Sequence, residues 1–156
     1  MDALSVGDIA PDFCLLNTDR EEVCLHKYQN SNPVVLLFFP LAFTSVCTKE
    51  LCLVRDHLQD YKQLDAFVFG ISVDSHFTLA KFKEDQKLNF DLLSDFNKKV
   101  SFSYGAFYDD FFGMNGVSKR AAFVIDRKGI IKYAEVLDDA SNVPDFHNVL
   151  EALRAT

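Results

Sequence analysis

Two cysteines five residues apart carry the clearest potential for chemistry in this sequence. Cys47 and Cys52 lie in the stretch FFPLAFTSVCTKELC, directly after an apolar run that ends at Pro40. A cysteine thiolate is a nucleophile. Simple packing is the alternative, because a free cysteine also behaves as a small buried hydrophobe. The position of each cysteine in the predicted helices and strands has to decide between these interpretations.

Cys47 is predicted at the start of a helix that follows a central strand. The run NPVVLLFFP, residues 32–40, has no polar alternation and is typical of a strand buried on both faces. After it, apolar residues at helical spacing predict one amphipathic helix with Thr44 or Ser45 as its N-cap. The members of this stripe are Cys47, Leu51, Val54, Leu58 and Tyr61. Unpaired N–H groups and the positive end of the helix dipole therefore favour the Cys47 thiolate.

The order of the remaining elements predicts the fold class. A second buried strand at 66–74 precedes a helix capped by Asp74 or Ser75, and a strand pair at 121–126 and 130–136 precedes a last helix. With a hairpin near the N-terminus, this order indicates an α/β chain with a thioredoxin-like fold, in which helices cover both faces of a mixed central sheet. Residues 1–156 are expected to form a single domain, since no linker or repeat divides them.

Cys14 and Cys24 are interpreted differently from the other two cysteines. Both lie in the predicted hairpin and alternate with their neighbours as half-buried strand residues do. In a reducing cytosol, cysteines are more often reactive, metal-binding or buried than joined in a structural disulfide. We therefore expect plain packing for this pair.

Composition and charge exclude several function classes. The net charge of −7 argues against a nucleic-acid partner. No apolar stretch approaches the length of a membrane span, and the N-terminal residues lack the pattern of a signal peptide, so a cytoplasmic protein is expected. No Rossmann or P-loop glycine pattern is present. The sequence thus predicts no cofactor, no metal and no membrane contact.

The sequence around Cys47 resembles the active-site motif of peroxiredoxins. The residues PLAFTSVC match the pattern P-x-x-x-T-x-x-C, and VGDIAPDFCL, GISVD and KRAAFVIDRKGII extend the resemblance over nearly the whole chain. The resemblance implies a thiol peroxidase that reduces hydrogen peroxide and organic hydroperoxides. It implies a peroxidatic role for Cys47, whose thiolate attacks the peroxide and becomes a sulfenic acid.

Further roles follow from the same resemblance. Thr44 resembles the threonine whose hydroxyl bonds the sulfur and the peroxide, and Pro40 the proline that shields the cysteine from water. Arg120 matches an arginine that reaches the site from another strand, where a guanidinium can stabilise the charge that develops on the peroxide oxygens. Glu50 resembles an acid that orients this arginine, although a glutamate in the first helical turns is also ordinary.

Cys52 is the candidate resolving cysteine. An intact helix separates the Cα atoms of Cys47 and Cys52 by roughly 8–9 Å, whereas a disulfide needs about 4.4–6.8 Å. A bond would therefore require the first turns to unwind. The C-x₄-C spacing resembles the bacterioferritin-comigratory subgroup, in which the second cysteine resolves the first. FFPLAFT resembles the one-cysteine alkyl-hydroperoxide-reductase-E subgroup, so resolution by an external thiol stays open.

Other activities are less compatible with these residues. A cysteine hydrolase needs a histidine beside the sulfur, and the nearest candidate on the helix, His57, lies about 15 Å along its axis. Structural zinc would need two close ligand pairs. A non-enzymatic binding or holdase module is the remaining alternative, with the loop FYDDFFGMNG as its apolar surface. For the enzyme, thioredoxin or a glutaredoxin-like protein is the expected reductant, and a monomer and a homodimer both remain open.

Overall fold

The computed structural model describes residues 4–156, and within them the chain forms a seven-stranded sheet flanked by five α-helices. The strands are β1 (Cys14–Asn17), β2 (Glu22–Cys24), β3 (Val34–Phe38), β4 (Phe67–Ser72), β5 (Asp91–Ser94), β6 (Arg120–Ile125) and β7 (Ile131–Leu137). The helices are α1 (Ser45–Asp56), α2 (Leu58–Lys62), α3 (His76–Gln86), α4 (Lys99–Ser103) and α5 (Phe146–Arg154). A 3₁₀ helix, Leu25–Tyr28, follows β2.

The sheet is mixed, as the order of elements predicts. Its strand order is β2-β1-β5-β4-β3-β6-β7. Strands β3, β4 and β5 are parallel because helices connect them, whereas the β1–β2 and β6–β7 hairpins are antiparallel. The carboxyl ends of β3 and β4 therefore lie at one edge of the sheet, and this edge holds the site described below.

Two apolar cores cover the two faces of the sheet. Alternate residues of β3 point in opposite directions, with Val35 and Leu37 facing one core and Leu36 and Phe38 facing the other. Helices α1, α2, α3 and α5 pack on the first face, and α4 packs on the second. The predicted thioredoxin-like arrangement, with an N-terminal hairpin and helices on both faces, is confirmed.

The helix that carries Cys47 is shorter than predicted. The sequence pattern indicates one helix through Tyr61, but the backbone leaves the helical region at His57, where φ is −117° and ψ is 19°. The His57 N–H bonds to the carbonyls of both Leu53 and Val54, which tightens the last turn of α1. All five stripe residues are nevertheless buried, so the apolar pattern continues across the break into α2.

Plain packing is the wrong prediction for Cys14 and Cys24, which form a disulfide. The two residues are direct cross-strand partners in the β1–β2 hairpin, with Cα atoms 4.1 Å apart. Their side chains therefore emerge on the same face of the hairpin. Cys24 is buried, whereas Cys14 is exposed. The register of the hairpin, which depends on the turn, decides this pairing.

None of the helices within residues 4–156 has both the length and the apolar character that crossing a membrane requires.

Candidate active site

Cys47 is placed by the turn between β3 and α1. Phe43, in this turn, has a left-handed backbone, with φ of +68°, and its ring packs edge-on against Phe82 of α3. Thr44 is the N-cap, so Cys47 is the third residue of α1, as predicted. Its side chain is 1% exposed. The nucleophile candidate thus lies at the carboxyl end of a central strand and at the N-terminus of a helix.

The first turn of α1 presents unpaired N–H groups beside this sulfur. The Thr48 N–H makes the first helical bond, to the Thr44 carbonyl at 3.0 Å. The N–H groups of the three preceding residues therefore have no partner within the helix. Together with the helix dipole, they create a local environment that stabilises negative charge.

Arg120 reaches Cys47 from the adjacent strand. Strand β6 is antiparallel to β3 and pairs Ala121 with Phe38, so Arg120, the first residue of β6, lies at the end of β3 where α1 begins. Its Nη2 atom donates to Cys47 Sγ at 3.3 Å. Nε and Nη2 both donate to the Ala140 carbonyl, at 3.2 and 2.9 Å, which fixes the plane of the guanidinium.

Glu50 forms a fully buried ion pair with the same guanidinium. Arg120 Nη1 lies 3.0 Å from Glu50 Oε1, and neither side chain is more than 2% exposed. Burial raises the pKa of Glu50 to about 7, although the charge and hydrogen bond of Arg120 oppose this shift. Burial disfavours the charged form of Arg120, but Glu50 and Cys47 outweigh it and raise the pKa of Arg120. The guanidinium is therefore held charged between two acidic partners.

Glu50 should make the stability of the protein depend on pH. Its pKa of about 7 in the folded state lies above its ordinary value of 4.5, so between these values the folded chain retains a proton that the unfolded chain releases. Its contribution to the free energy of unfolding is full below about pH 4.5 and decreases by roughly 3 kcal/mol as the pH rises to 7. Urea unfolding across this range is expected to show the decrease in the wild type and not in Glu50→Gln.

Glu84→Gln is the matched control, because Glu84 is a helical glutamate that lies mostly exposed on α3. This variant should keep the wild-type slope. Parallel stability profiles for the wild type and Glu50→Gln would show that Glu50 does not hold the proton.

Thr44 and Pro40 both line a cleft that they share with Cys47. The Thr44 hydroxyl donates to the Leu41 carbonyl at 2.8 Å, so its oxygen remains available as an acceptor on the cleft side. Pro40 is buried and has no N–H to offer to water. The structure thus brings together Cys47, Thr44, Pro40 and Arg120 at one cleft, with Glu50 behind the guanidinium.

The cleft has a volume of about 720 Å³ and a largely apolar rim. The loop 107–116 contributes Phe111, Phe112 and Met114 to this rim, and the Phe112 side chain is 89% exposed. The loop that the sequence offered as the apolar surface of a binding module therefore lies beside the candidate site.

Two further residues support the candidate site, although the sequence gives no clear signal for either of them. Of the two candidate caps of α3, Ser75 takes this role, and the Asp74 carboxylate instead accepts from the Ala42 N–H at 2.8 Å and the Ser72 hydroxyl at 2.7 Å. It thereby anchors the turn that precedes α1. Ala140 acts through its carbonyl, which any residue type could supply. Only the path of the chain after β7 reveals its contact with Arg120.

Cys52 lies on the other side of α1, away from the cleft. It is partly buried, and its Sγ is 3.6 Å from Gln86 Oε1 at the end of α3. Both free cysteines belong to the same intact helix. The helix therefore separates the two thiols, as its geometry predicts.

Comparison with known proteins points to one family. The model of the AhpC/TSA family matches residues 6–134. Alkyl hydroperoxide reductase E of Mycobacterium tuberculosis is 40% identical over 135 residues, which cover 85% of this chain and 86% of that protein. Peroxiredoxin-2 of Mus musculus is 37% identical, with 96% of this chain and 76% of that protein covered.

Solved structures agree on the fold. The peroxidoxin BcpB of Mycobacterium tuberculosis superposes with a TM-score of 0.85 at 31% identity over 96% of both chains. A peroxiredoxin-like protein of Aquifex aeolicus gives a TM-score of 0.89 at 23% identity, with 99% of this chain and 89% of that chain covered. The chain belongs to the AhpC/TSA family and is a peroxiredoxin, a thiol-dependent peroxidase.

Proposed function

We propose that Cys47 is the peroxidatic cysteine of this enzyme. The contact of 3.3 Å between the Arg120 guanidinium and Cys47 Sγ, at the N-terminus of α1, carries the proposal. In the reaction, the Cys47 thiolate attacks one peroxide oxygen, the O–O bond breaks, and the sulfur becomes a sulfenic acid. The leaving oxygen takes up a proton and departs as water or an alcohol.

The surrounding residues have complementary roles in this step. Arg120 and the free N–H groups of α1 stabilise the charge that develops on the two oxygens. Thr44 accepts the hydrogen bond of the incoming peroxide, and Pro40 excludes water from the sulfur. Glu50 is a positioning residue, because it touches Arg120 and not the reacting atoms. The apolar rim gives room for organic hydroperoxides as well as hydrogen peroxide.

Cys52 is the proposed resolving cysteine. Its thiol attacks the Cys47 sulfenic acid, an S–S bond forms and water leaves. The contacts of α1 support unwinding at its N-terminal end. Arg55, near the end of α1, donates to the Gln86 carbonyl at 2.5 Å, and its own carbonyl accepts from the Asn89 side chain at 3.2 Å. At the other end of the helix, oxidation replaces the sulfur that Arg120 contacts, so the turn that holds Cys47 loses this contact, and Cys47 moves towards Cys52 while Glu50 keeps its bond to Arg120.

Mass spectrometry of the peroxide-treated protein tests this resolution step. One equivalent of hydrogen peroxide is expected to give a Cys47–Cys52 disulfide in the wild type. In Cys52→Ser, a dimedone-reactive Cys47 sulfenic acid should accumulate, because no thiol on the helix remains to attack it.

Lys49→Gln is the matched control, because Lys49 is an exposed residue of α1 between the two cysteines and its substitution removes no thiol. This variant should form the same disulfide as the wild type. A wild-type protein in which Cys47 persists as a sulfenic acid, or bonds to an added thiol instead of Cys52, would support the one-cysteine alternative.

The proposal also covers the electron donor, the cellular location and the assembly of the enzyme. A Cys47–Cys52 disulfide is reduced by a dithiol, so thioredoxin or a glutaredoxin-like protein is the proposed donor. The cytoplasm, where such donors maintain reduced thiols, is the proposed location. A monomer or a homodimer is proposed as the assembly, and the single-domain organisation stays a prediction.

A further inference from the structure

A cluster of potential metal ligands lies in the N-terminal hairpin, away from Cys47. The sulfurs of Cys14 and Cys24 and a ring nitrogen of His26 all lie within 4.8 Å of one another. Cysteine thiolates and a neutral imidazole are the donor types that Zn²⁺ prefers. The peroxidase reaction proposed above uses none of these three residues.

Asp12 orients the histidine of this cluster. Its carboxylate accepts from the His26 backbone N–H at 3.0 Å and pairs with His26 Nδ1 at 2.8 Å. In the neutral tautomer that donates its Nδ1–H to this carboxylate, Nε2 keeps a lone pair for a metal ion. A carboxylate behind a ligating histidine is the usual support of a protein zinc site.

We propose that the reduced hairpin binds Zn²⁺ through Cys14, Cys24 and His26, and that the Cys14–Cys24 disulfide excludes the metal. A tetrahedral site with Zn–S and Zn–N bonds of about 2.3 and 2.0 Å needs ligand atoms roughly 3.5–4 Å apart. Reduction lets the sulfurs separate to this distance, and the histidine nitrogen lies within 4.8 Å of both sulfurs.

A fourth ligand is available beside the cluster. Glu22 Oε1 lies 3.7 Å from Cys24 Sγ, on the same face of β2. Its carboxylate or a water molecule completes the tetrahedron. The site was not evident from sequence spacing, because Cys14 and Cys24 are separated by ten residues and only the hairpin register makes them neighbours.

The site would respond to the substrate of the enzyme. A peroxide takes two electrons from the two zinc-bound thiolates, which form the disulfide. With two protons, hydrogen peroxide becomes two molecules of water, and Zn²⁺ is released. Cys14 is exposed and lines a cleft of about 820 Å³, so a thiol reductant can reach the disulfide and restore the ligands.

Zinc competition against a chromophoric chelator tests the proposal in the Cys47→Ser, Cys52→Ser protein, whose only cysteines are the hairpin pair. The dithiol form should bind one equivalent of Zn²⁺, at least ~100-fold more tightly than the disulfide form of the same chain. Co²⁺ should give thiolate-to-metal charge-transfer bands in the dithiol form only.

Substitutions then identify the ligands. Against the same background, His26→Gln should weaken binding and Asp12→Asn should weaken it by about 10–100-fold. His57→Gln, at an exposed histidine beyond α1, is the matched control and should leave the affinity unchanged. Equal zinc affinity of the dithiol and disulfide forms would overturn the proposal, and this comparison needs no variant of the hairpin. An unchanged affinity in His26→Gln would exclude the three-ligand site.

Discussion

Cys47→Ser is expected to reduce peroxidase activity by at least ~1000-fold, because a serine hydroxyl at this position stays protonated and does not attack the O–O bond. The measurement is steady-state consumption of hydrogen peroxide with a thiol reductant in excess. Substitution of sulfur by oxygen preserves the size and burial of the side chain, so the fold should be retained, and circular dichroism checks this.

Variants of the other three cysteines serve as controls for the assignment of Cys47. Cys52→Ser should still reduce one equivalent of peroxide in a single turnover, since Cys52 acts after the O–O bond has broken. If the Cys14–Cys24 pair were the reacting pair, the variant with serine at both hairpin positions would lose the activity and Cys47→Ser would keep it. That outcome would contradict the assignment of Cys47.

Arg120→Met should lower kcat/KM by about 100–1000-fold, the usual cost of removing a donor that stabilises developing negative charge. Three contacts support this expectation, since the guanidinium bonds Cys47 Sγ, Glu50 and the Ala140 carbonyl at once. Arg120→Lys retains the charge, but one ammonium group cannot reproduce this planar set of bonds. We expect a loss of at least about 10-fold in this variant.

Arg127→Met is the matched control for this substitution. Arg127 lies just after β6 and donates to the Ser31 carbonyl at 3.2 Å, away from the cleft. A second readout separates chemistry from folding. The rate at which iodoacetamide alkylates Cys47 at fixed pH should fall in Arg120→Met and not in Arg127→Met. Equal peroxidase rates in Arg120→Met and the wild type would remove Arg120 from the mechanism.

The elements of the fold follow closely from local sequence patterns. Burial in β3 and α1 can be predicted from the apolar run of the strand and from the stripe that begins at Cys47. The spacing of apolar residues places them on the faces of a strand or helix that pack against the core. The break at His57 is the exception. The stripe continues through it, so periodicity alone contains no information about where the backbone leaves the helix.

The site could be predicted only in part. Cys47 was identifiable from its place at a helix N-terminus. The resemblance of the sequence to peroxiredoxins added Thr44 and Pro40 from the motif around Cys47, and Arg120 from a later segment. Nothing in the local pattern around Arg120 indicates that it meets a cysteine 73 residues away in sequence. Asp74 resembled a helix cap, and its contact with the Ala42 N–H depends on how β4 ends beside the turn before α1.

The sequence by itself determined the order of strands and helices, the buried stripe of α1 and the position of Cys47 at its start, because these depend on residues close together in the chain. Tertiary structure decided the contact of Arg120 with Cys47 and Glu50, and the pairing of Cys14 with Cys24 beside His26. Such contacts depend on strand register and on the packing of distant segments, and a one-residue change of register would separate the same residues.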